Sequence, residues 1–150
     1  AMGALKYFLL KVDPVKRMLF NPEESIDFQG NTGPFIQYTH ARIRSVLRNA
    51  DGPYHTSLNA PLHTSESELL NTLSQFPGKV NTAAESYSPA IIANYMFDVA
   101  KAFNRLYHEV SILGETDEVL KNNRLAICQL TAQTIQRGMM LLGIKVPEKM

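Results

Sequence analysis

The sequence predicts an all-α fold, an antiparallel helical bundle, and three observations predict it. Nearly every apolar periodicity along the chain has steps of three and four, the signature of one face of a 3.6-residue helix. The punctuation between the periodic segments consists of helix caps and helix breakers. The chain is 150 residues long with 45% hydrophobic and 19% charged residues, enough for one domain that buries a core without staples.

Taken in order, a first helix is expected from Gly3 to Val12, stopped by Asp13-Pro14. The stretch KRMLFNP then reads as extended chain. A short helical turn runs from Pro22 to Gln29 and ends at Gly30. A longer helix starts near Pro34, where proline suits the first helical position, and ends at NADGP. Residues 51–64, with Pro53 and Pro61, are the one extended loop. Ser65 followed by Glu68 has the spacing of a capping box and opens SELLNTLSQF, which Pro77-Gly78 closes. KVNTAAESY is a further segment. Ser88-Pro89 caps a long helix whose apolar residues Ile92, Met96, Val99, Phe103, Leu106, Val110 and Leu113 form one stripe ending at Gly114. Thr116, with Asp117 and Glu118 behind it, starts the last helix, which reaches Leu142 before Gly143.

Composition narrows the function classes. Net charge is +1, so any nucleic-acid contact has to come from local clustering of the 15 Lys and Arg. Cys128 is the single cysteine; it rules out an intrachain disulfide framework and suits the cytoplasm. No apolar run has the length of a membrane span, and AMGALKYFLL lacks the charged flank and cleavage site of a signal peptide. Ala1 and Met2 are expected to be residues added in cloning, with one domain over 3–150.

The sequence signals no reaction chemistry. His40, His55, His63 and His108 are not spaced as metal pairs, and neither His-Glu-x-x-His nor Glu-x-x-His occurs. There is no P-loop, and Gly30 and Gly33 have no strand before them. Cys128 lies between Ile127 and Leu130, where it reads as a small buried hydrophobe. Glu23-Glu24 and Asp117-Glu118 complement helix dipoles. No catalytic residue, metal or cofactor is expected within these residues.

The unusual surface belongs to residues 34–50. On a helical wheel Ile36, Thr39, Ile43, Val46, Leu47 and Ala50 form a core stripe, and Phe35, Tyr38 and Arg42 form a separate row about 80–140° from its centre. Gln37, Arg44 and Arg48 make a second polar row on the other flank. Aromatic faces beside guanidinium groups suit unpaired nucleotides, which stack and carry phosphate. The same row also suits packing beneath another helix or against a neighbouring domain, and at this point both stand.

GALKYFLL, then SIDFQGNTGPFIQYTHARIRSVLRNA, and finally RGMMLLGIKVPEKM resemble, in this order, the C-terminal region of arginyl-tRNA synthetases, and the likeness runs from Gly3 to Met150. That module is a helical bundle named for an Asp-Ala-Leu-Arg motif, which here reads Gly3-Ala4-Leu5-Lys6. The resemblance implies recognition of the anticodon stem-loop of arginine tRNA. It implies a parent in which a catalytic domain of the same chain uses ATP; the His-Ile-Gly-His-type and Lys-Met-Ser-Lys-type motifs of that domain are absent from these residues. It further implies that Phe35 and Tyr38 lie near the anticodon loop, that Tyr107 meets an anticodon base, and that the terminal Met150 lies beside the same loop. Where the family often has tyrosine, Phe35 keeps the ring and lacks the hydroxyl. Arg42 completes the expected tRNA-binding set. A helical protein-interaction module with exposed aromatics is the alternative, and the salt dependence of binding separates the two.

Overall fold

The computed structural model describes residues 2–19, 21–50, 54–57 and 59–150; Ala1 and Pro53 lie outside them. Among the described residues there are seven helices and no strand: α1 (Met2–Leu10), α2 (Pro22–Ser25), α3 (Gly33–Arg48), α4 (Thr64–Ser74), α5 (Phe76–Glu85), α6 (Pro89–Glu109) and α7 (Glu118–Leu141). The predicted all-α bundle is the observed one. No described helix is long and apolar enough to cross a membrane.

Helix α6 is the hub, packed against α1, α3, α4, α5 and α7. Its predicted stripe is the core: Ile92, Met96, Val99, Phe103 and Leu106 are buried, with Ile36 and Ile43 of α3 and Ile135 and Met139 of α7 around them. Contacts along the helices fix their directions. Arg124 near the start of α7 donates to the Ser111 carbonyl just beyond α6, while Gly138 near the end of α7 meets Met96 near the start of α6. The two therefore run antiparallel. Helix α4 is antiparallel to α6 as well, since Tyr95 bonds to the Thr72 carbonyl and Arg105 reaches back to Glu68. Helix α3 runs parallel to α6, with Phe35 beside Phe97 and Arg42 beside Asn104. Two intervening helices, α4 and α5, allow that orientation.

Several boundaries differ from the sequence expectation, each for a local reason. The capping box of α4 belongs to His63 and Glu66, not Ser65 and Glu68. His63 Nδ1 accepts from the Ser65 amide at 3.3 Å, and the His63 amide donates to Glu66 Oε2 at 2.7 Å. An imidazole nitrogen thus takes the place of the usual hydroxyl, and Glu68 is left outside to pair with Arg105. Pro77-Gly78 does not close a helix. It lies in the first turn of α5, where a proline has no amide bond to lose. Helix α6 stops at Glu109, because Val110 turns extended at φ −129°, ψ 145°. Val110 is half-buried and Leu113 exposed, while Ile112 takes the place in the core. Asp117, not Thr116, caps α7, accepting from the Val119 and Leu120 amides at 2.8 and 3.1 Å.

The end of α7 matters for the site because it launches the C-terminal tail. Gly143 adopts φ +67°, a left-handed conformation that a Cβ disfavours. The Gly143 amide then reaches the Met140 carbonyl and the Ile144 amide the Met139 carbonyl, both at 2.9 Å, a Schellman closure. Ile144 is buried by this turn, and residues 145–150 are sent back across α3.

Candidate nucleic-acid interface

Two members of the α3 row, Tyr38 and Arg42, reach the surface, where α6 adds Tyr107 beside them. Tyr38 is 42% exposed and Tyr107, on α6, is 40% exposed. Between them lies Arg42, its guanidinium carbon 4.8 Å from the Tyr38 ring centre and 5.2 Å from that of Tyr107. The order of layers is ring, cation, ring. A guanidinium held against aromatic faces gains a cation–π attraction and keeps its charge at the surface. Arg42 is half-buried, and one amino group donates to Asn104 Oδ1 at 2.7 Å.

Two further rings extend the surface. Phe28, 54% exposed, meets Tyr38 edge to face with centroids 6.3 Å apart. His108 meets Tyr107 in the same manner at 6.3 Å. Phe28 stands in the turn ahead of α3, whose end is fixed by the Thr32 hydroxyl bonding to the Asp27 carbonyl. Tyr107 also leans on Phe103 at 6.1 Å, so a core ring backs the exposed one. The result is a strip of aromatic and cationic groups across the junction of two parallel helices.

The five residues singled out from the sequence are placed differently from one another. Tyr38, Arg42 and Tyr107 come together. Phe35 is half-buried and packs on Phe97 at 5.3 Å, supporting the α3–α6 junction from within. Met150, 61% exposed, ends the tail on the opposite flank of α3. That flank holds the second polar row, and its groups are engaged. Gln37 donates to the Lys145 carbonyl at 2.7 Å, His40 Nδ1 meets the Pro147 carbonyl at 2.9 Å, Arg44 pairs with Glu148 at 2.6 Å, and Arg48 donates to the Glu148 carbonyl at 2.8 Å. The row anchors the tail, which runs in the same direction as α3.

Sequence inspection missed Phe28 and the use made of Asn104. Phe28 sits in an irregular turn, where periodicity carries no signal. Asn104 is recognisable as a polar neighbour of Tyr107, yet its amide is already committed to Arg42 and to Thr39.

Away from this surface, one polar cluster is buried within the bundle. Arg124, 8% exposed, bonds Glu66 at 2.7 Å and Glu115 at 2.5 Å. Burial pushes the Cys128 thiol up to about 12, as suits a thiol wholly inside the core. Among the described residues no group of three or more His, Cys, Asp or Glu converges as metal ligands do. A cleft of about 520 Å³ opens at the other end of α6, but Asp13 and Asp98 offset most of the charge of Lys11, Lys16 and Lys79 in its lining.

Among the described residues the bundle has no strand and carries a Tyr–Arg–Tyr layer on two adjacent helices, a surface whose chemistry suits flat, charged ligands. Residues 36–150 match the DALR anticodon binding domain, and the chain belongs to that family. It is 51% identical over 149 residues to an arginine–tRNA ligase of Flavobacterium psychrophilum and 52% identical over 156 residues to one of Amoebophilus asiaticus. These alignments take in 99% and 100% of this chain but 25% and 26% of the relatives, so the chain spans about a quarter of their length. Its fold superposes on the arginyl-tRNA synthetase of Thermus thermophilus with a TM-score of 0.93 at 33% identity, over 99% of this chain and 26% of that one. The Plasmodium falciparum arginyl-tRNA synthetase gives 0.86 at 27% identity, again over 99% and 26%.

Proposed function

We propose that this domain recognises the anticodon stem-loop of arginine tRNA on behalf of a cytoplasmic arginine–tRNA ligase. Activation of arginine with ATP and its transfer to tRNA then fall to a catalytic domain elsewhere in the same longer chain. The observation that carries the proposal is the Tyr38–Arg42–Tyr107 layer, supported by family membership.

The chemistry follows from what a tRNA loop presents. Unpaired bases offer π-faces that stack on aromatic and guanidinium planes, and the backbone offers phosphate charge. Tyr38 and Tyr107 supply exposed faces for stacking, and Arg42 supplies a cation between them. Phe28 extends the platform beyond Tyr38. Phe35 acts from beneath, keeping α3 seated on α6. Met150 meets the same loop if the loop reaches across α3, a distance of about 10–12 Å with its side chains. Titrating the chain with a hairpin carrying an arginine anticodon loop, against a hairpin with a non-cognate loop, tests the proposal. Tighter binding of the arginine hairpin supports it, and equal affinity for the two overturns it.

A further inference from the structure

The Arg42 guanidinium is one end of a chain of hydrogen bonds leading into the core. It donates to Asn104 Oδ1 at 2.7 Å, Asn104 Nδ2 donates to Thr39 Oγ1 at 2.9 Å, and the Thr39 hydroxyl donates to the Phe35 carbonyl at 2.9 Å. Thr39 is wholly buried, so the inner end of the chain is anchored to the α3 backbone. The two partners of Asn104 are opposite in character, one a cation that only donates and one a hydroxyl already donating elsewhere. Only one orientation of the amide serves both, since the flipped group would set its NH2 against the guanidinium. Asn104 thus spans the α3–α6 junction directly beneath the exposed layer.

We infer that Asn104 is a positioning residue of the interface, one that fixes the Arg42 guanidinium between the rings of Tyr38 and Tyr107. An arginine left free at the surface samples many rotamers and surrenders them on binding, whereas one held in place does not. The RNA side of the inference rests on the proposed function; the side concerning Arg42 does not.

The test uses the whole chain with Asn104→Ala and Asn104→Asp, and measures two things. The first needs no RNA: the rotation rate of the Arg42 guanidinium, followed by NMR on its side-chain nitrogens. Slow rotation in the parent chain and fast rotation in Asn104→Ala is the expected result. Unchanged rotation in the folded variant overturns the inference. The second is the affinity for an arginine anticodon hairpin as salt is varied. Asn104→Ala, which leaves the charge in place, is expected to bind about fivefold to tenfold more weakly with an unaltered salt slope. Asn104→Asp sets a carboxylate against the guanidinium and is expected to lower the slope by about one as well. The added carboxylate lowers the slope only if Arg42 faces the RNA, so equal slopes overturn the RNA side of the inference, while unchanged affinity in a folded Asn104→Ala overturns the positioning role. Should Asn104→Ala fail to fold, Asn104→Ser takes its place under the same criteria. If Arg42→Glu leaves hairpin binding untouched, the proposed RNA site fails while the rotation measurement still decides the role of Asn104.

Discussion

Arg42 stands where three kinds of interaction meet: a ring on either side, a hydrogen bond to Asn104 behind, and solvent in front. It lies off the core stripe of α3, so reversing its charge is expected to leave the bundle folded. Arg42→Glu should weaken binding of an arginine anticodon hairpin and reduce the salt slope by about one, the share of a single phosphate contact. Affinity measured at several salt concentrations checks this, and an unchanged slope in a folded variant would remove Arg42 from the contact set. Tyr107 makes a different kind of contribution, through its ring. Tyr107→Phe should keep most of the affinity, because a face remains to stack on, and Tyr107→Ala should lose about 1–3 kcal/mol of binding. Thermal unfolding read alongside is decisive here, since Tyr107 also rests on Phe103. A Tyr107→Ala chain that melts early, or binds as before, places the ring in the core and not in the site.

At the scale of elements, two devices hold the site's surroundings in register. The first is the Arg124 cluster, which ties α7 to Glu66 of α4 and to Glu115 and the Ser111 carbonyl in the α6–α7 connection. Arg124 and Glu66 are both nearly excluded from water. Removing one partner strands the other as a buried charge, so Arg124→Ala should destabilise the domain by about 3–5 kcal/mol in urea unfolding. The second is the tail on α3. His40 is buried, and desolvation lowers its pKa below the ordinary 6.5, partly opposed by the bond to the Pro147 carbonyl. In the unfolded chain the imidazole takes up its proton near 6.5, before the folded chain does. Stability is therefore full above that pH and falls as acidity rises through the window down to the lowered value. Unfolding free energies measured from neutral pH to about pH 5 should show this loss, and His40→Asn should flatten it. A profile identical in the two chains would show that the tail contact does not sense protons.

The elements that were legible in the sequence are those written in periodicity. The stripe from Ile92 to Leu106 and the row Phe35, Tyr38, Arg42 follow from a 3.6-residue repeat, which local sequence displays directly. The cap of α4 was not legible in the same way. In HTSESE two spacings of three residues compete, Ser65 with Glu68 and His63 with Glu66, and the second also meets a distant partner, since Glu66 accepts from Arg124. The tail shows the same limit from the other side. A helical wheel marks Gln37, Arg44 and Arg48 as an exposed polar row, but a wheel assigns a face and not its neighbour. That these residues grip Lys145, Pro147 and Glu148 with His40 depends on where α7 ends, a hundred residues later.

At the scale of the whole molecule, the proposed function has a nearly neutral bundle bind RNA through one organised surface. With a net charge of +1 there is no bulk field to attract nucleic acid indiscriminately, so the proposal assigns both affinity and discrimination to the Tyr–Arg–Tyr layer and its flanks. The most direct measurement is a titration of the chain with arginine tRNA and with a non-cognate tRNA, each at a low and a high salt concentration. Preferential binding of arginine tRNA that weakens steeply with salt, and that Tyr38→Ala and Tyr107→Ala each diminish in folded chains, is the predicted result. No preference between the two tRNAs, or binding indifferent to both salt and the two tyrosines, would contradict it.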